Sequence, residues 1–284
     1  MHITGSTRVF FVLGHPVAQV RAPEVFNPIF DAHGIDAALL PIQVTPAALP
    51  AFVQGSLQAD NVGGLWVTIP HKAAILPLLS EVDAHGARAG AVNAVRRLAD
   101  GTLAGALFDG LGFAAALDHL QVAVTGKRVL LVGTGGAGVA IAVALADRPL
   151  ALLAVNDVQP ARAEALVQRL ATGAACPVQA RPVVDPAGFD VVIHATPLGM
   201  KPDDPLPFDV ARLSPGATVV DILMKPAGTP LRRACDAHGL AYHPGFEMLT
   251  QQVPAYLRYF GYGDVVDAMA GDLSQVRRNV RALA

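Results

Sequence analysis

The chain has 284 residues, 52% hydrophobic and 15% charged, with a net charge of −2 and a mean hydropathy of +0.43. That is apolar material for one large or two ordinary packed domains, and the absence of any basic run argues against a nucleic-acid binder, which must displace counterions from phosphates. Two cysteines, Cys176 and Cys235, form no CxxC motif, and MHITGSTRVFF at the start lacks the regions of a secretory leader, so a reducing cytoplasm is expected.

RVFFVLG (8–14) predicts a strand, and PEVFNPIFDAHG (23–34) a helix closed by a C-cap glycine. Ala37 to Val44 reads as strand, Pro46 to Leu57 as helix and Leu65 to Ile69 as strand. AVNAVRRLADGTLAGALF (91–108) predicts a hairpin with Asp100-Gly101 in its turn. Alternation resumes with strand RVLLVG, helix Val139 to Ala146, strand LALLAVND and helix PARAEALVQRLA. Strands DVVIHAT (190–196) and TVVDIL (218–223) and helix TPLRRACDAHG follow, and from Gly245 onward the chain is helical in character with no further strand. The uncharged run Val129 to Ala146 has the length of a short membrane span, but GTGGAG at its centre breaks such a helix. It reads instead as a buried strand, a glycine turn and a buried helix, and no membrane partner is expected.

That turn, VLLVGTGGAGVA, sets Gly133, Gly135 and Gly138 in a GxGxxG pattern, with Gly136 and Ala137 between them. The first glycine permits the turn, the second lets a pyrophosphate approach the backbone, and the third lets helix and strand pack closely. The N–H groups at the helix start then attract phosphate charge. The next strand ends in Asn156 and Asp157, and an acidic residue there can accept hydrogen bonds from the adenosine ribose hydroxyls. It would also repel the 2′-phosphate of NADP, so NAD is favoured over NADP; a plain helix-capping aspartate is the other reading.

A second ligand must then meet the nicotinamide. Lys72 follows the end of the strand in GGLWVTIPHKAAI, where α/β folds place ligands, and Asp109 stands at the domain junction. A lysine and a carboxylate flanking a hydroxyl can move its proton as hydride leaves carbon; an ion pair bracing the site has the same sequence. The glycines around Asp109, Gly105, Gly110 and Gly112, suit either a hinge or close helix packing. The expected fold is α/β. Residues 1–108 form an α/β substrate domain, 109–244 a Rossmann-type doubly wound dinucleotide domain, and 245–284 helices that pack back on the first domain. His15, His71, His194 and His243 show no metal-ligand spacing, and no metal is expected.

From about residue 9 to 260 the chain resembles the shikimate/quinate dehydrogenase family. GLWVTIPHK resembles its G-x-N-V-T-x-P-x-K, GAVNA its G-A-V-N-T, and GALFDGLGF its G-x-N-T-D-G-x-G. VGTGGAG resembles its glycine loop, ATPLGM its A-T-P-x-G-M, and GFEMLTQQ its G-x-x-M-L-x-x-Q. The resemblance implies reversible oxidation of a ring hydroxyl by a nicotinamide cofactor, with Lys72 and Asp109 as the catalytic pair. It implies substrate contacts from Thr68, Asn93 and Gln252, and cofactor contacts from Thr196, Leu223, Gly245 and Met248.

The departures lie around the substrate. The family's two carboxylate-binding serines become Val20 and Ala22 in QVRAP, its tyrosine becomes Met224 in DILMKP, Asn-Thr becomes Leu107-Phe108, and an asparagine becomes Trp66. Each lost hydrogen bond to a charged group is worth about 1.5–3 kcal/mol. The pocket lined by Val20, Ala22, Trp66 and Phe108 is therefore expected to take a less polar cyclic alcohol, with Arg21 offered as a replacement carboxylate partner and a solvent-facing arginine as the other reading. The family's N-R-T reads Asn156-Asp157-Val158, which agrees with NAD. Two alternatives remain: a true shikimate dehydrogenase using NADP in aromatic amino-acid biosynthesis, and a catalytically silent NAD or metabolite sensor.

Overall fold

A computed structural model describes residues 2–225 and 228–281. The chain forms two compact units, one of residues up to Phe108 together with those from Thr250 onward, the other of Asp109–Leu249.

The first unit contains β1 (Arg8–Gly14), α1 (Ala22–Ala32), β2 (Ala37–Gln43), α2 (Leu49–Ser56), β3 (Val62–Val67) and the one-turn α3 (His71–Ala74). These are followed by β4 (Glu81–Val82), α4 (Ala84–Ala89), β5 (Ala94–Arg97) and β6 (Leu103–Ala106). The sheet order is β2-β1-β3-β5-β6-β4. β1 pairs in parallel with β2 and β3, whereas β3, β5 and β6 run antiparallel, the last two as the expected hairpin. In its connection Gly101 takes φ +86°, and the Asp100 carboxylate accepts from Thr102 N at 2.9 Å and Thr102 Oγ1 at 2.6 Å.

Side-chain alternation along β1 and β3 builds two different layers. Leu13, Leu65 and Val67 meet Val44, Leu49, Val53 and Ile75 in an aliphatic core. Phe10 and Trp66 belong to an aromatic layer with Phe26, Tyr256 and Phe260, the Trp66 ring lying stacked at 5.1 Å from Tyr256 and 4.3 Å from Phe260. β3 starts three residues earlier than its apolar run suggests, taking in Gly63 and Gly64. Both are glycine because the rings of Phe10 and Phe260 occupy the space a Cβ would need.

The second unit opens with α5 (Asp109–His119), then β7 (Arg128–Val132), α6 (Gly136–Ala146), β8 (Leu152–Asn156), α7 (Pro160–Leu170) and β9 (Val178–Ala180). It continues through β10 (Val191–His194), β11 (Thr218–Asp221), α8 (Pro230–Ala237) and β12 (Ala241–His243) into α9 (Phe246–Tyr259). All six strands are parallel, in the order β12-β11-β10-β7-β8-β9. The crossover direction reverses between β7 and β10, and such a switch point leaves a crevice at the carboxyl ends of the two strands. The uncharged stretch expected to be strand, turn and helix is β7, a glycine turn and α6, and among the described residues no helix is long and apolar enough to cross a membrane.

The sequence does not predict α5; its glycines beside Asp109 suit either a hinge or close helix packing. Gly110 lies within the helix, where a Cβ would collide with the Ala140 carbonyl of α6. Close helix packing, not a hinge, explains this glycine. The helical tail, α9 followed by α10 (Gly263–Met269) and α11 (Ser274–Arg281), returns to the first unit, where α11 packs on α1. The sequence puts the border at 245; the units part between Leu249 and Thr250, inside α9.

Candidate active site

In the first unit the segments carrying the candidate residues are tied together through the backbone. Beyond β3, Thr68 N donates to Leu13 O at 2.9 Å and His15 N to Ile69 O at 3.1 Å, drawing the loop after β1 against Thr68. Lys72, half-buried, sits on α3, and its carbonyl accepts from Val92 N at 2.9 Å. The α3 turn is anchored by His71, wholly buried, whose Nε2 lies 2.7 Å from Val44 O.

Asn93 is the most constrained of the group. It is 1% exposed, its Oδ1 accepts from Phe108 N at 2.9 Å, and its carbonyl accepts from Val67 N at 2.8 Å and the Tyr256 hydroxyl at 3.2 Å. Its Nδ2 is buried with no partner, a donor held ready for an acceptor. Gln252, 6% exposed, lies one helical turn before Tyr256 on α9 and so shares its face. Tyr256 itself escaped the sequence reading; the aromatic spacing in AYLRYF was the available signal.

The departures from the family pattern take their own places. Val20 and Ala22 are half-buried. Arg21 is exposed and forks onto Glu24 at 3.1 and 3.2 Å, so the expected carboxylate partner is engaged three residues along its own helix turn. Trp66, expected to wall a pocket, is packed into the aromatic layer at 3% exposure because alternation on β3 turns position 66 that way. Phe108 packs edge-on against Tyr256 and Tyr259.

In the second unit the glycine turn has the properties that phosphate approach needs. Gly133 takes φ +100°, reachable without strain only by glycine, and its N–H donates to Asn156 O at 2.8 Å. Gly135 caps α6 in an extended conformation, and a Cβ there would meet nothing within 4 Å. At Gly138 a Cβ would strike the Gly133 carbonyl. Gly136 and Ala137 form the first turn of α6, which has no side-chain cap, and the first N–H groups of a helix have no partner within it.

Asp157, 7% exposed, follows β8. One carboxylate oxygen accepts from Thr134 N and Thr134 Oγ1, both at 2.8 Å, and the other from Gln159 N at 2.9 Å. Burial alone would raise its pKa; the Gln159 and Thr134 hydrogen bonds and the Arg162 charge outweigh it and hold the group below the ordinary carboxylate range. Asn156 donates from Nδ2 to Arg181 O at 2.7 Å. Thr196 follows β10, and its methyl lies against Gly133. Leu223 follows β11; its N–H donates to Asp221 and its carbonyl accepts from Gly245 N at 3.2 Å. At Gly245 a Cβ would strike the Ile222 carbonyl, and Met248 is buried in the first turns of α9. Asp109, 7% exposed, is the first residue of α5. Among the described residues no group of three or more His, Cys, Asp or Glu is placed to hold a metal ion.

A parallel sheet in this strand order with a three-glycine turn at its switch point defines a Rossmann-type dinucleotide-binding domain. Residues 12–95 match the family model described as the shikimate dehydrogenase substrate binding domain. A protein of Rubrobacter xylanophilus named shikimate dehydrogenase (NADP(+)) is 38% identical, over 96% of this chain and 97% of that relative. The chain belongs to the shikimate dehydrogenase family of NAD(P)-dependent oxidoreductases acting on CH–OH groups. Among solved structures, shikimate 5-dehydrogenase from Listeria monocytogenes, in complex with shikimate and NAD, is 26% identical with a TM-score of 0.84, covering 95% of this chain and 98% of that one. The ligand-free 5-ketofructose reductase of Gluconobacter sp. strain CHM43 is 25% identical, also with a TM-score of 0.84, covering 98% and 99%.

Proposed function

We propose that the chain catalyses reversible hydride transfer between a nicotinamide dinucleotide and a ring hydroxyl of shikimate or a close relative, in the cytoplasm. The observation that carries it is the glycine turn, open at Gly135 and closed at Gly133 and Gly138 as a pyrophosphate requires. Gly133, Gly135, Gly136, Ala137 and Gly138 would hold the phosphates, with Asn156, Asp157, Thr196, Leu223, Gly245 and Met248 completing the cofactor site. The hydride chemistry is the cofactor's. Lys72 and Asp109 move and stabilise the hydroxyl proton, while Thr68, Asn93 and Gln252 hold the other ring hydroxyls.

For substrate and cofactor the relatives carry shikimate and NADP(+) in their names, which supports a shikimate dehydrogenase of aromatic amino-acid biosynthesis better than the altered reading drawn from the motifs. Two local observations favour a second reading, NAD with a less polar alcohol. Asp157 is a buried carboxylate just after β8, the position from which an acidic residue would accept from the ribose hydroxyls and repel a 2′-phosphate, and Arg21 is turned to Glu24 beside the apolar Val20 and Ala22. The Listeria structure supports NAD in this family, and the 5-ketofructose reductase supports a changed substrate.

Initial rates with NAD and NADP, each with shikimate and quinate, decide between these readings. In the Asp157→Asn variant the ratio of kcat/KM for NADP to that for NAD is expected to rise about tenfold, corresponding to about 1.4 kcal/mol of relieved repulsion. An unchanged ratio would leave Asp157 only as the brace of Thr134 and Gln159.

A further inference from the structure

His194 and Asp221, both wholly buried, end the neighbouring strands β10 and β11 and face each other in the register. His194 Nδ1 lies 3.1 Å from Asp221 Oδ1, and His194 Nε2 lies 2.6 Å from Thr196 Oγ1. Asp221 also accepts from Leu223 N at 2.9 Å, the Tyr242 hydroxyl at 2.8 Å and the Thr229 hydroxyl at 3.2 Å. Thr196 Oγ1 accepts from Leu198 N at 3.1 Å.

Donors and acceptors can be matched in one consistent way with a neutral ring. An ionised Asp221 only accepts, so Nδ1 carries the proton and donates to it. Nε2 is then an acceptor, and the Thr196 hydroxyl, already accepting from Leu198 N, donates to it. The hydroxyl of Thr196 is thereby turned toward His194, leaving its methyl against Gly133, the first glycine of the dinucleotide turn. One imidazole links the loop after β10, which carries Thr196, to the loop after β11, which carries Leu223.

We propose that His194 is a positioning residue for the dinucleotide. Supported by Asp221, it locks Thr196 in the rotamer that presents a methyl to Gly133, and so sets the shape of the crevice at the β7–β10 switch point. The resemblance gives position 194 no role, and the sequence offered it only as one of several scattered histidines. The proposal rests on the dinucleotide reading of this unit.

The test uses His194→Asn, Thr196→Val and the double variant, with NADH and NADPH titrated by fluorescence alongside thermal unfolding and kcat. Asparagine can reproduce the Nδ1–H donor to Asp221 but stops short of Thr196. Each single variant is expected to bind the preferred dinucleotide about fivefold more weakly or worse, the worth of one hydrogen bond or more. Because both cut one link, the double variant should bind no more weakly than the worse single. KM for the alcohol should move less than twofold. Wild-type affinity in either single variant would overturn the proposal, as would losses that multiply in the double. Weaker binding matched by an equal loss in alcohol KM would also overturn it, marking a general loosening of the fold. A wild type that binds neither dinucleotide would remove the reading of the unit itself, and this proposal with it.

Discussion

Lys72→Ala is expected to lower kcat with shikimate by about 10²–10⁴-fold, the usual worth of a positioned acid–base group, while the dissociation constant for the dinucleotide stays within twofold of wild type. An alcohol cannot release hydride from carbon without its hydroxyl proton going elsewhere, and an amine beside the hydroxyl provides the destination. The backbone holds Lys72 firmly enough for that role, since α3 follows directly on the strand end, the Lys72 carbonyl is tied to Val92, and buried His71 anchors the turn. Lys72→Arg should rescue little, because a guanidinium keeps its proton at any working pH. The ion-pair reading forecasts the reverse pattern, a fall in unfolding temperature with turnover largely kept. Stopped-flow rates and a thermal melt on the two variants separate these outcomes.

The second large effect contrasts two substitutions three residues apart. Gly138→Ala should destabilise the second unit by about 1–3 kcal/mol or more, the range for forcing atoms into a filled space, since the new methyl meets the Gly133 carbonyl and backbone cannot turn aside. Gly135→Ala introduces the same methyl into open space at a φ any residue adopts, so the unit should melt as wild type does. Its cost falls on the ligand. The methyl stands where a pyrophosphate would approach, and dinucleotide affinity is expected to drop about tenfold or more, about 1.4 kcal/mol per decade. Calorimetry with dinucleotide titration reads both. Full affinity in Gly135→Ala would remove the pyrophosphate from this turn.

Much of the fold, and the glycine turn of the candidate site, is legible in the sequence. β1 reads residue for residue because the unbroken apolar run Val9 to Leu13 sends side chains into both layers, and the glycine turn because its spacing states three separate geometric demands. Reading fails where a residue's meaning lies far off in the chain. Gly63 and Gly64 resemble strand breakers until Phe10 and Phe260 are seen filling their Cβ space. α5 hides behind glycines that exist for the neighbouring helix. β9 and β12, three residues each, are too short to show a period. His194 gains its significance from Asp221, 27 residues away on the next strand. Arg21 shows the opposite case: Glu24, with which it pairs at the surface, is in view three residues along, and the solvent-facing reading is the one its exposure fits.

The aromatic layer of the first unit has a consequence for how the polypeptide is made. Phe10, Phe26 and Trp66 leave the ribosome early, yet Tyr256 and Phe260, which stack on them, are translated only after the whole of the second unit. At roughly 5–20 residues per second the nascent chain carries this greasy face uncovered for on the order of ten seconds. The second unit is one continuous stretch and can fold meanwhile. A polypeptide stopped at Leu249 should therefore bind a hydrophobic dye and aggregate, while one spanning residues 109–249 alone stays dispersed. Equal dispersal of both would mean that the early strands shield their own rings, and that the last helices are not what keeps this protein from sticking at birth.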